Sequence, residues 1–247
     1  AALDAMAAPA RVRLAARILG WPFAWLGYRG DPTLPPVTRA ITALGPAYIK
    51  FGQILSTRPD VVGAQMAEQL RVLQDRLPPF PTSTARAMVV AELGQPVEAL
   101  FTEFSEPVAA ASIAQVHYAR RADDGAEVAV KVLRPGIEAA FRRDLDAFHL
   151  AANLIERLSP ASRRLRPRDV VSHFQSVVLG ELDLRLEAAS ASLFAENIGK
   201  DAGFTVPHPH WALSSRRVMT SDWVHGTPMS DVDAIRAAGH DTGALAS

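Results

Sequence analysis

IAQVHYARRADDGAEVAVKVL, residues 113–133, reads as a strand, a turn and a second strand, and this reading decides the fold class. Residues 113–119 alternate with period two, and residues 127–133 form a short apolar run. Arg121-Ala122-Asp123-Asp124-Gly125 between them carries turn chemistry, so the two strands pair as an antiparallel hairpin. The flanking sequence returns to helical period on both sides. An α+β fold with a small antiparallel sheet follows.

The second strand carries Lys131 inside VAVKVL. A lysine among buried neighbours is costly unless an anion pairs with it; a solvent-facing lysine is the plainer alternative. Upstream, Ala109-Ala110-Ala111-Ser112 predicts a tight turn between a strand near Phe104 and the strand from Ile113. A glycine-rich turn there would cradle phosphate. Alanine does not take positive φ freely, and its methyl holds an anion farther from the backbone N–H groups. Without a ligand, the segment is simply a small-residue turn.

Toward the N-terminus, ALGPAYIKFGQILSTRPD (residues 43–60) predicts a helix with Leu44, Tyr48, Phe51, Ile54 and Leu55 as its apolar stripe and Pro59 as its end. Lys50 and Gln53 share a face, so a cation and an amide are expected at one site. Gly52 in mid-helix implies close approach of another group, since Gly costs about 1 kcal/mol against Ala there. Residues 1–95 read as largely helical, with Pro-rich breaks at 31–36 and 77–81. Thr82-Ser83-Thr84 offers N-caps for a helix over 85–93, and Gly94 fits its C-cap.

Toward the C-terminus, helices are predicted over 137–158 and 169–197, joined by a basic loop at 163–168. Within the second, Asp183 and Glu187 share one face and Glu181 projects about a third of a turn away. One helix could therefore offer carboxylates to both Lys131 and Lys50, or merely present a solvated face. Residues 206–224 predict two short strands around Ser214-Ser215-Arg216. His208 and His210 are either a metal pair or a strand-entry loop, and the loop is the expectation; no metal ligands are assigned.

With 247 residues, 49% hydrophobic and 21% charged, the chain has enough apolar surface for a substantial core. Twenty-six basic and 26 acidic residues leave no net charge, which argues against a nucleic-acid partner. Zero cysteines exclude disulfides and cysteine-ligated zinc. Residues 18–28, with Trp21, Phe23, Trp25 and Tyr28 after Arg11, Arg13 and Arg17, are too short to span a bilayer. They either lie at a membrane surface or pack on the protein itself.

Taken together, the Lys-x-Gly-Gln helix with STRPD, LQDRLPPFP (73–81), AAASIAQVH (109–117), VAVKVLRPGI (128–137), ELDLRLEAASA (181–191) and VMTSDWVHGTPMSD (218–231) resemble the UbiB-like (AarF-type) atypical kinases of the protein-kinase-like superfamily. The resemblance covers residues 34–233. It implies a kinase-like N-lobe at 96–225 with a helical insertion at about 138–180. It further implies a helical extension at 1–95 folded over the acceptor side, and the start of a C-lobe at 226–247. By resemblance, Lys131 is the nucleotide-phosphate lysine and Glu187 its helix partner, while Glu181 or Asp183 couples to Lys50. The alanine-rich loop, residues Ala109, Ala110, Ala111 and Ser112, replaces the glycine-rich one, and Asp222 and Trp223 fall at the hinge, where Asp222 stands for the more usual Glu.

The implied activity is that of an atypical kinase or ATPase using ATP and Mg2+ in support of ubiquinone biosynthesis. The implied setting is the cytoplasmic face of a bacterial inner membrane, held peripherally. Isoprenoid or quinone lipid intermediates and other ubiquinone-pathway enzymes are the implied partners. The alternative is a non-catalytic pseudokinase or a lipid- or partner-binding scaffold of the same pathway. No H-x-D-x-H-x-G-N run and no Asp-Phe-Gly occurs, so the chain is expected to be an N-terminal fragment, inactive alone.

Overall fold

The computed structural model describes residues 35–74, 78–158, 163–164, 166–199, 203–229 and 231–240. The aromatic stretch at 18–28 and most of the Pro-rich break at 31–36 lie outside the described residues. In chain order the helices before the sheet are α1 (Pro36–Leu44), α2 (Pro46–Ser56), α3 (Pro59–Val62), α4 (Ala64–Arg71), α5 (Thr82–Leu93) and α6 (Val97–Leu100). Strands β1 (Phe101–Ala110), β2 (Ala114–Arg121) and β3 (Glu127–Leu133) follow. Next come α7 (Ile137–Leu158), α8 (Pro167–Glu181), α9 (Leu184–Ile198), β4 (Val218–Asp222) and α10 (Val232–Ala237).

The four strands form one antiparallel sheet in the order β1-β2-β3-β4, with Val116 opposite Lys131 and Lys131 opposite Met219. Pro107 is accommodated because β1 is an edge strand, where a missing ladder donor costs least. Val128, Val130 and Val132 point to one face and pack with Val218, Ala85 and Val89 of α5. The other face, with Ala114, Leu133 and Met219, packs against Phe141, Leu182, Leu184 and Ala188. Both faces are covered by helices, so β3 is apolar on both sides of the sheet and Lys131 stands among hydrophobic neighbours. The fold is a kinase-like N-lobe of α+β class.

Several local expectations are corrected. Residues 43–60 are not one helix. Gly45 at φ 143° breaks the chain, Pro46 opens α2 and Pro59 opens α3. Proline fits the first turn of a helix because its missing N–H would be unpaired there anyway. Of the expected apolar stripe, Tyr48, Phe51 and Leu55 pack inward while Leu44 and Ile54 are exposed, and Ala47, Ile49, Gly52 and Ser56 are the buried positions of α2. Helix α5 begins at Thr82 after Pro81 with no side-chain cap, and Thr82 Oγ1 bonds to Glu106 instead. Gly94 does close α5, in the left-handed conformation.

The helix predicted over 169–197 is two helices, α8 and α9, broken at Leu182 and Asp183. In residues 206–224 there is one strand, β4, and a single bridge from Pro209 to Ser221. Pro207 and Pro209 have no N–H to donate, so a second ladder cannot propagate. Ala109 and Ala110 belong to β1, paired with Val116 and Gln115, which leaves a shorter turn of Ala111, Ser112 and Ile113. Among the described residues, no helix is long and apolar enough to cross a membrane.

Candidate functional site

Lys131 projects from the β3 face opposite α5, because its neighbours at 130 and 132 turn into the α5 core. Helix α9 crosses this face and Asp183 caps its N-terminus, accepting from the Arg185 N–H at 3.1 Å. Glu187 then stands in the first turn of α9. Lys131 Nζ lies 2.6 Å from Glu187 Oε1 and 2.7 Å from Oε2, a two-oxygen grip across 56 positions of chain. The pair is 27% and 47% exposed, so solvent and ligands reach it.

A second pair forms on the neighbouring helix end. Lys50 on α2 meets Glu181, the last residue of α8, at 2.6 Å, the two side chains 21% and 36% exposed. The α8–α9 break therefore separates the two carboxylates: Glu181 closes one helix and faces Lys50, and Glu187 opens the next and faces Lys131. Asp183 joins neither lysine. Its carboxylate takes Arg185 Nε at 2.9 Å and the other guanidinium nitrogen at 2.6 Å, and this hydrogen bonding holds it below the usual aspartate range.

Helix α2 is held in place by contacts its own sequence does not announce. Asp144 of α7 accepts the Ala47 N–H at 3.1 Å and so caps α2 from outside. Burial, with nothing cationic strong enough to offset it, pushes this carboxyl above its ordinary value. The Asp144 carboxylate sits against Gly45, where any Cβ would collide with it. Tyr48 stacks on Phe148 at 4.5 Å, and Phe51 meets Phe148 and Phe174 at 5.4 and 5.3 Å. This aromatic cluster fastens α2 to α7 and α8. On the other side of α2, the Leu73 side chain approaches Gly52 where a Cβ would stand, the close approach its glycine implies.

Lys50 and Gln53 do not converge on one group. Gln53 Nε2 donates to the Leu73 carbonyl at 2.7 Å, and its Oε1 lies 3.5 Å from Ser112 Oγ. Ser112 is buried, and its turn is closed by Ala111 N–H to Ala114 O at 2.8 Å. The α2 helix thus touches the turn after β1 through an amide and the α8 end through a cation.

At the other end of the sheet, Asp222 is occupied by structure: it accepts the His208 N–H at 2.9 Å and pairs with His210 Nε2 at 2.9 Å. The Trp223 N–H donates to Glu127 O, and its indole meets Tyr118 edge-on at 5.2 Å. Among the described residues no group of three His, Asp or Glu side chains converges as a metal site. Asp144, Phe148 and Phe174 were not singled out by sequence reasoning; the Gly45-Pro46 break was the one signal that a new helix needed a cap there.

A family profile described as the ABC1 atypical kinase-like domain matches residues 72–247. The chain is 45% identical over 208 residues to a probable protein kinase UbiB of Marinobacter nauticus, covering 84% of this chain and 38% of that protein. It is 39% identical over 233 residues to the Shewanella loihica protein of the same name, covering 93% and 42%. The chain spans about two-fifths of the length of these curated relatives. Among solved structures, the Rv3197–erythromycin complex from Mycobacterium tuberculosis superposes with a TM-score of 0.55 at 28% identity, over 90% of this chain and 52% of that one. The family match across most of the chain, on a kinase-like sheet with both lysine pairs formed, places it: the chain belongs to the ABC1 atypical kinase-like family.

Proposed function

We propose that this chain is the nucleotide-binding lobe of a UbiB-type atypical kinase or ATPase that supports ubiquinone biosynthesis. The observation that carries the reading is the two-oxygen Lys131–Glu187 pair on the open face of β3. A lysine so held is preset to reach nucleotide phosphates, and the glutamate keeps it aimed until they arrive. The Lys50–Glu181 pair, on a helix docked by the aromatic cluster, acts as a gate on the acceptor side. Domain limits at residues 95 and 225, with an insertion at about 138–180, belong to the same proposal.

The donor set fits ATP at its phosphate end, where Lys131 supplies the cation. ATP with Mg2+ would supply the transferable phosphoryl group. Among the described residues no group of three His, Asp or Glu side chains converges to hold that metal. Membrane attachment at the cytoplasmic face, quinone or isoprenoid intermediates and pathway enzymes as partners are parts of this proposal.

A scaffold reading rests on the turn after β1. It has no glycine, and the Ala111 N–H, a donor a phosphate would need, is already given to the Ala114 carbonyl at 2.8 Å. Calorimetry of Mg-ADP binding separates the two. Lys131→Ala should weaken binding by about tenfold or more, the loss of one charge-assisted contact. Equal binding by both proteins would overturn the role of Lys131, and no binding by the parent would overturn the nucleotide reading and leave the scaffold.

A further inference from the structure

A cavity of about 380 Å³ opens beside the N-terminus of α7, and neither lysine pair lines it. Its walls carry three guanidiniums, from Arg134, Arg142 and Arg217, against one carboxylate, Glu138. Glu138 is 14% exposed and shared: Arg217 lies 3.2 Å away, Arg216 3.4 Å and Arg142 3.6 Å. One carboxylate cannot neutralise three cations. Glu92, 4.0 Å from Arg217, offsets part of the surplus from α5.

Arg134 is the independent observation. It is half-buried, and its partners are neutral: it donates to Ala111 O at 3.1 Å and Pro78 O at 2.9 Å and lies over the Phe80 ring. No carboxylate among the described residues forms an ion pair with it. Burial lowers its pKa, with no charged neighbour opposing the shift. A desolvated cation facing a cavity is stabilised by an anion that enters. Helix α7 runs 22 residues from this cavity, so its first-turn N–H groups add to the same potential.

We propose that this cavity binds the phosphate group of a phosphorylated small molecule, with Arg142 and Arg217 as its charged ligands and Arg134 behind them. The volume exceeds that of a bare phosphate, and Met88, Pro135 and Ile137 supply an apolar wall for an organic body. A second cavity of about 360 Å³ shares Glu138 and Arg142 but adds Asp146, which makes it the poorer anion site. The proposal is independent of nucleotide binding at Lys131.

The test is calorimetry of the full chain with glycerol 3-phosphate at constant ionic strength, glycerol serving as the blank. Binding should weaken about tenfold or more in the Arg142→Gln/Arg217→Gln double variant, and stay within about twofold in Lys131→Ala. No binding above the glycerol blank, or loss with Lys131→Ala but not with the arginine changes, would overturn it. Arg142 is 71% exposed, so Arg142→Gln alone keeps the fold and should still weaken binding severalfold should the double variant melt. Vesicles of phosphatidic acid in phosphatidylcholine, against phosphatidylcholine alone, identify the source. Arginine-dependent vesicle capture supports a lipid headgroup, and soluble binding without capture supports a free phosphate ester.

Discussion

His117 is fully buried and fully partnered, so its titration couples the stability of this sheet to pH. Its Nδ1 donates to Ser105 O at 2.8 Å, and its Nε2 accepts from Gln115 Nε2 at 2.9 Å. Gln115 Oε1 in turn accepts the Phe80 N–H at 2.9 Å, tying the 78–81 segment to the sheet. Burial pushes the imidazole below its ordinary 6.5. The unfolded chain therefore binds a proton that the native chain refuses, so this stability is present above 6.5 and is lost as pH falls through the depressed value. The melting temperature should drop more steeply in this acid window for the parent than for His117→Gln. The variant itself should be less stable by about 1–3 kcal/mol, because it leaves buried partners unmatched. Parallel pH profiles would remove His117 from the account.

Among the elements, α2 depends most on groups outside itself. Its N-terminus has no cap of its own, since Gly45 and Pro46 have no side-chain acceptor, and Asp144 of α7 fills that role. Asp144→Ala should cost about 1 kcal/mol by thermal melting, the usual value of a lost N-cap. Asp144→Asn keeps an acceptor for the Ala47 N–H and removes a carboxylate whose charge burial disfavours. It should therefore equal or exceed the parent at neutral pH. Folding raises this carboxyl's pKa, so the native chain holds the extra proton: its contribution is present below the ordinary aspartate value and lost as pH rises through the raised one. An Asn variant as unstable as the Ala variant would mean that the charge itself, not the acceptor, holds α2.

At the scale of the molecule, the lysine pairs add little to stability. Both are partly exposed, and such pairs contribute about 0–1 kcal/mol. What sets their geometry is packing. Phe148 joins Tyr48, Phe51 and Phe174, so it locks α2 against α7 and α8 and carries Lys50 to Glu181. Phe148→Ala should cost about 2 kcal/mol or more and raise hydrogen exchange across residues 46–56 while β3 stays protected. Uniform loss of protection through both regions would show that α2 and the sheet unfold as one unit, not separately.

Sequence alone determined the antiparallel hairpin, the apolar β3 with one lysine and the left-handed close at Gly94. Each depends on neighbours a few positions away, and local sterics suffice to read it. Only the tertiary structure decided where α2 begins, that α8 and α9 break between Glu181 and Glu187, and which carboxylate meets which lysine. Asp183 shows the reason: by spacing it is as good a partner for a lysine as Glu181, but as N-cap of α9 it is claimed by Arg185. The pairing across 56 positions, and the aromatic cluster that aims Lys50, come from packing between elements, which no local period records.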